Sequence, residues 1–329
     1  MNQASILQEK LPASPLNLKR FRIHMAIVVL LLIIPIFVKS NYVIDLLLLC
    51  NIYAMFLSSW DLLTGYTGQI SFGHTLFIGG GAYTAGLLSF YFKVPIYITI
   101  PLGGCVAAIL GIGLGMPALR LKGPYLALAT FAASAVLSGL AAVFWEYSGG
   151  EDGLYGVAPL ASNFVVKYYW SIGFMVVICG FLLFLVNSQY GLILKSIRED
   201  EYAAQASGIN VAKYKLITFV MSGFLAGIAG AFYSHTQCHV AIELVGLPLS
   251  IMVVLMSVAG GMGTIVGPIA AGYILILLNE WLRVIEVVRL LIYSGSVVLI
   301  LLFIPKGIVP TLISLFERLI DRMRSSSGS

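Results

Sequence analysis

Apolar runs near the thickness of a bilayer recur along this chain, separated by short polar stretches. A hydrocarbon core of ~30 Å is crossed by roughly 20 apolar residues in a helix. Runs of that order occupy 25–38, 42–60, 70–92, 96–116, 124–145, 168–187, 216–234 and 289–304. A further apolar region, 249–278, is interrupted by Gly260, Gly261, Met262, Gly263 and Thr264. The pattern predicts an all-α, polytopic transmembrane helical bundle with broken or re-entrant segments.

Charged residues make up 10% of the chain, against about 25% in soluble domains, so no folded soluble domain is expected. The expected division is a cytoplasmic N-terminal segment at 1–24, one membrane domain at 25–305 that includes a cytoplasmic loop at 189–215, and a cytoplasmic tail at 306–329. No small-residue cleavage site follows the first apolar run, so it reads as an uncleaved span.

The net charge of +5 does not point to nucleic acid, because the basic residues cluster at segment ends. That placement suits topology and anionic lipid headgroups. Lys10, Lys19, Arg20 and Arg22 precede the first span, and Arg120 and Lys122 lie between the fourth and fifth. Lys195, Arg198, Lys213 and Lys215 fill one loop, and Lys306, Arg318, Arg322 and Arg324 the tail. The positive-inside rule puts all four regions, and both termini, in the cytoplasm. The crossing number must then be even, which 249–278 allows as a re-entrant pair or as two short crossings.

Trp60, Trp145, Tyr147, Tyr168, Tyr169 and Trp170 fall near predicted span ends, where interfacial aromatics belong. Gly111 with Gly115, Gly223 with Gly227 and Ala231, and Ala226 with Gly230 have the spacing that lets helices approach closely in lipid.

One tract stands apart. Residues 65–74 hold Gly65, Gly68 and Gly73 with Thr67, Gln69, Ser71 and His74, between two greasy runs. Broken backbone survives at membrane depth only inside protein or beside water, so a solute path is expected here. In the 195–210 stretch, Ser196 and Glu199 have capping-box spacing. Glu199, Asp200 and Glu201 favour a helix first turn, and Gly208 is placed to end the helix. A short capped helix follows, suited either to docking a partner or to serving as a solvated connector between spans.

Other chemistry is sparse. No Gly-Lys pair exists for a phosphate-binding loop, so any ATP hydrolysis belongs to another subunit and no enzyme is read. Cys50, Cys105, Cys179 and Cys238 are scattered, which indicates neither disulfides nor zinc. His235, His239 and Glu243 recur every four residues, as on one helical face. Gly246 and Pro248 close behind favour an outer loop over a metal site. Neither metal nor cofactor is expected. Within the spans Asp45 is nearly alone as an acidic group, which disfavours a self-contained ion-coupled transporter or channel.

Several motifs together resemble one family. Residues 65–74 resemble a GYxGQxSxGH pattern, and Leu121, Lys122, Gly123, Pro124, Tyr125, Leu126 and Ala127 an LKGxYLA turn. Residues 149–154 resemble a GGxxGL loop, and Arg198, Glu199, Asp200 and Glu201 with Ala204 and Gly208 a coupling segment. Gly260, Gly261, Gly263, Gly267 and Pro268, then Pro305 and Gly307, complete the series. The family is the branched-chain amino acid permeases of ATP-binding-cassette importers, and the likeness is to the longer permease of the pair. The segment 249–252 departs from it, with uncharged Leu249, Ser250, Ile251 and Met252 where members often carry a carboxylate.

The resemblance implies a bacterial inner-membrane importer subunit. Gly68, Gln69, Ser71, Gly73 and His74 would line the path, and Arg198, Glu199, Asp200, Glu201, Ala204 and Gly208 would couple to cytoplasmic ATPase subunits. It also implies a second permease and a periplasmic solute-binding protein. The acidic outer loop with Glu146, Glu151 and Asp152 reads first as a solvated turn, and otherwise as a contact for that binding protein. Branched-chain amino acids are the implied solutes, with urea, short amides and aromatic acids as alternatives.

Overall fold

A computed structural model describes residues 18–38, 40–121, 123–284 and positions 295, 307, 308 and 311. The expected N-terminal segment up to residue 17, Lys122, nearly all of the expected span 289–304 and nearly all of the tail lie outside the described residues.

In chain order the helices are α1 (Leu18–Phe37), α2 (Asn41–Thr67), α3 (His74–Phe92), α4 (Ile96–Ala118), α5 (Pro124–Val143), α6 (Trp145–Ser148), α7 (Phe164–Val186), α8 (Gln189–Glu199), α9 (Glu201–Ala206), α10 (Val211–Gln237), α11 (Leu247–Gly260) and α12 (Val266–Trp281). Two short strands, β1 (Leu154–Tyr155) and β2 (His239–Val240), pair antiparallel. By length and composition, five described helices can cross a membrane: α2, α4, α5, α7 and α10.

Small residues set the innermost layer. A Cβ added to Gly81 of α3 would sit 2.1 Å from the Gly227 carbonyl oxygen of α10, and one on Gly230 would sit 2.0 Å from the Ile78 oxygen. On α4, Gly103 faces Ala231 and Gly111 faces Val220. The predicted small-residue stripes therefore lie where α3, α4 and α10 cross. Their backbones touch because no side chain intervenes, which is how helices associate without a hydrophobic drive between them.

Helix α2 runs through the middle of the bundle and buries Leu48, Ile52, Met55 and Phe56. Hydrogen bonds tie it to its neighbours. Asn51 Nδ2 donates to Ser171 Oγ of α7 at 2.8 Å, the Tyr273 hydroxyl of α12 donates to Asn51 Oδ1, and Ser222 Oγ of α10 donates to the Ser59 carbonyl at 2.6 Å. By contrast, only 22% of the apolar window of α5 is buried, so α5 stands at the edge.

Two aromatic expectations fail. Trp60 and Tyr168 are fully buried, because the indole N–H finds the Ser71 carbonyl at 2.8 Å and the phenol finds the Leu31 carbonyl at 2.9 Å. Trp145, Tyr147, Tyr169 and Trp170 are exposed, as interfacial rings would be.

The interrupted 249–278 region is a hairpin. Helices α11 and α12 hold 14 and 16 residues, about 21 and 24 Å at 1.5 Å per residue. Helix α12 lies along α2, with Gly272 against Leu57 and Glu280 receiving the Tyr42 hydroxyl.

His235, His239 and Glu243 do not share a helix. The chain leaves α10 at Cys238, whose φ is 60°, then forms β2 and a 3-10 turn at Ile242–Leu244. Both His235 ring nitrogens are engaged, Nε2 with Thr99 Oγ1 at 2.7 Å and Nδ1 with the Ala158 carbonyl at 2.8 Å.

Candidate translocation and coupling site

The break begins later than its glycines suggest. Helix α2 continues through Gly65 to Thr67 and ends at Gly68, which has φ 73° and donates its N–H to the Thr64 carbonyl. Thr67 Oγ1 bonds the Leu63 carbonyl at 2.6 Å, and Thr64 Oγ1 reaches forward to the Gln69 carbonyl at 2.9 Å. Threonine hydroxyls thus bond carbonyls on both sides of the helix end. Gly68 is there because an L side chain would be strained at that φ.

From Gly68 the chain folds back beside α2. Trp60 Nε1 donates to the Ser71 carbonyl, and His74 Nε2 pairs with Ser59 Oγ at 2.8 Å. The Phe72 N–H donates to Thr130 Oγ1 of α5 at 3.2 Å, and Ser250 Oγ of α11 donates to the Phe72 carbonyl. A Cβ on Gly73 would fall 1.8 Å from the Thr130 oxygen, so the tract presses directly on α5.

Gln69, Ser71 and His74 are all buried. Among the described residues, Ser71 Oγ, His74 Nδ1 and Thr75 Oγ1 find no hydrogen-bond partner. An unmet buried polar atom costs about 1–3 kcal/mol, so three between Ser71 and Thr75 mark polar capacity that packing alone does not require.

The 195–210 stretch is two helices rather than one. Ser196 lies inside α8, where its hydroxyl bonds the Ile193 carbonyl at 2.8 Å. It therefore forms no capping box with Glu199. The helix start belongs to Asp200, whose Oδ1 accepts the N–H groups of Tyr202 and Ala203 at 2.8 and 3.1 Å. An aspartate one residue past Glu199 outcompetes a serine already committed to a helix interior. Gly208, with φ 86°, follows the end of α9 as expected, and the Ile209 N–H returns to the Ala204 carbonyl at 3.1 Å. Ala204 is buried, Glu199 and Asp200 are exposed, and Lys215 of α10 pairs with Glu201. Replacing Asp200 with Ala should cost about 1 kcal/mol of helix stability and speed amide exchange at Tyr202 and Ala203.

The two sets of predicted residues meet in one place. A cleft of about 380 Å³ is lined by Gly68, Gln69 and Ile70 on one side and by Arg198, Glu199 and Lys215 on the other. Arg198 Nη1 donates to the Gly65 carbonyl, and Gly68 lies against the Arg198 stem. Motifs far apart in sequence meet at Arg198, and Lys195 Nζ adds a contact 5.7 Å from the Tyr66 ring centroid.

Sequence reasoning missed Asp61. The expected span ends at residue 60, which leaves Asp45 as nearly the lone acid in it. Yet Asp61 is fully buried within α2. Its Oδ1 accepts the Gly263 N–H at 2.7 Å and its Oδ2 the Ile265 N–H at 2.8 Å. The signal was available: a carboxylate one turn before Gly65, and a glycine-rich turn with N–H groups to offer.

Long apolar helices around a partly buried non-helical tract, with a charged helix pair set against it, are those of a polytopic membrane protein, and its class is a transport permease. Residues 42–305 match the family described as branched-chain amino acid transport system / permease component, and the chain belongs to that family. It is 28% identical to the high-affinity branched-chain amino acid transport system permease protein LivM of Salmonella typhimurium, over 87% of this chain and 74% of that one. It is 27% identical to LivM of Escherichia coli, over 83% and 71%. The ribose import permease protein RbsC of Haemophilus influenzae is 26% identical over 63% and 66%. No solved structure gave a significant match.

Proposed function

We propose that this chain is the permease subunit of an ATP-driven importer that carries branched-chain amino acids from periplasm to cytoplasm across a bacterial inner membrane. Its partners in this reading are a second permease, cytoplasmic ABC ATPase subunits and a periplasmic solute-binding protein. Residues 25–305 form the membrane domain, and both termini and the 189–215 loop face the cytoplasm. Gly68, Gln69, Ser71, Gly73 and His74 line the path. Arg198, Glu199, Asp200, Glu201, Ala204 and Gly208 form the surface that engages the ATPases.

The observation that carries this reading is the shared cleft in which the broken tract abuts Arg198. A permease driven from outside itself needs its moving helices beside its gate, and these are in contact. Unmet polar atoms at Ser71 and His74 suit a solute that presents charged ends to a broken helix. The LivM names support the amino acid class. A self-contained ion-coupled carrier would need a titrating relay in its spans, whereas both oxygens of Asp61 are held by backbone N–H groups.

Gln69→Ala or His74→Ala should cut amino acid uptake roughly tenfold, as loss of about 1.4 kcal/mol of polar contact would, with assembly intact. Radiolabelled leucine uptake into vesicles, alongside co-purification of the subunits, measures both. Wild-type uptake by either assembled variant removes that residue from the path.

A further inference from the structure

The turn between α11 and α12 adopts a backbone that its sequence would not choose unaided. Gly261, Gly263 and Ile265 have φ values of 108°, 81° and 58°. Ile265 is the telling one, since a β-branched residue is strained in the left-handed region. The Asp61 carboxylate selects this conformation by accepting two N–H groups of the turn at 2.7 and 2.8 Å.

The turn is also wedged. A Cβ on Gly263 would lie 2.6 Å from Arg198 Nη1 and 2.8 Å from the Gly65 oxygen. A Cβ on Gly65 would lie 2.2 Å from Asp61 Oδ1 and 2.5 Å from the Gly263 nitrogen. Glycine at both positions brings the last turn of α2, the hairpin turn and the Arg198 guanidinium together with no intervening side chain. At the other end of α11, Ser250 holds the Phe72 carbonyl of the broken tract. A 14-residue helix thus bridges the Arg198 junction and the tract.

We propose that Asp61 is a positioning residue for transport: its carboxylate locks the 261–265 turn onto α2 against Arg198, so that displacement of the α8–α9 pair is delivered along α11 to the tract at Phe72. This rests on the coupling role given above to Arg198 through Glu201. Asp61 touches no solute. It acts by making two structural units move as one, and a carboxylate serves because both of its faces must accept an N–H group.

Asp61→Asn keeps the shape but turns an amide N–H₂ toward one of those N–H groups. The test is the ATPase rate of the complete transporter in lipid, with and without solute-loaded binding protein. In wild type, stimulation by the loaded protein tests the coupling reading separately. In Asp61→Asn the stimulation ratio should fall about fivefold or more, the scale of a lost coupling between sites, while hydrolysis continues unstimulated. A wild-type ratio in the variant overturns the proposal.

A second measurement needs no partner and applies also where Asp61→Asn fails to assemble. In the purified full-length permease, Arg198→Ala should accelerate amide hydrogen exchange at Gly263 and Ile265, although the arginine's hydrogen bond goes to Gly65. Unchanged exchange at those two amides overturns the link whatever the ATPase assay gives.

Discussion

A leucine in place of Gly81 should leave almost no folded permease. The added Cβ alone would lie 2.1 Å from the Gly227 oxygen, and Gly103 of α4 presses on the Gly81 carbonyl from the other side. Neither obstacle is a flexible side chain, so α3 must move away from α10 and α4 together. One extra methylene in a packed core costs about 1–3 kcal/mol, and leucine brings several into a site with no room. Fluorescence-detected gel filtration of detergent extracts should show the monodisperse peak lost. Gly113→Leu is the control, because nothing lies within 4 Å of the added atom there, and it should run as wild type. A normal Gly81→Leu peak would mean that the three helices do not cross as described.

Charge reversal at Glu201 is the second large effect. Lys215 is buried except for 8% of its surface, and Glu201 is its ion-pair partner. Glu201→Lys places two ammonium groups together on a part-buried site. Breaking a fully buried pair costs about 3–5 kcal/mol. The Glu201 side chain is 40% exposed, so solvent screening brings this nearer to about 2 kcal/mol. Helix α9 should then detach from α10, and stimulation of ATP hydrolysis by loaded binding protein should fall to the unstimulated rate. Adding Lys215→Glu restores an opposite pair and should recover much of the stimulation. Failure of the swap in a fully assembled transporter would indicate that Glu201 itself, rather than the pair, meets the ATPase proposed above.

The helical bundle was legible because membrane burial leaves the backbone few options and the apolar runs declare themselves. The small-residue stripes were legible for the same reason: in lipid, spacing alone reports a close approach. Local detail was less so. Gly65 reads as a breaker, yet it stays helical because its missing side chain makes room for Asp61 and Gly263. Ser196 and Glu199 have capping spacing, but Asp200 captures the helix start with two N–H groups. Trp60 reads as interfacial until the fold returns Ser71 to meet its indole. Only for Gly65 is part of the deciding contact, Gly263, remote in sequence; Ser196 loses to a neighbour that offers better capping geometry, and Trp60 meets Ser71 only once the chain turns back after Gly68.

The strand pair carries a consequence for how the bundle can open. Leu154 is paired with Val240 and Tyr155 with His239, and the Gly156, Val157 and Leu160 N–H groups bond carbonyls at Cys238 and His235. His235 also reaches Ala158 and Thr99. These bonds stitch the segment before α7 to the end of α10 and to the start of α4, like a hasp across one rim. An aperture at that end would have to break these bonds or part along a different seam.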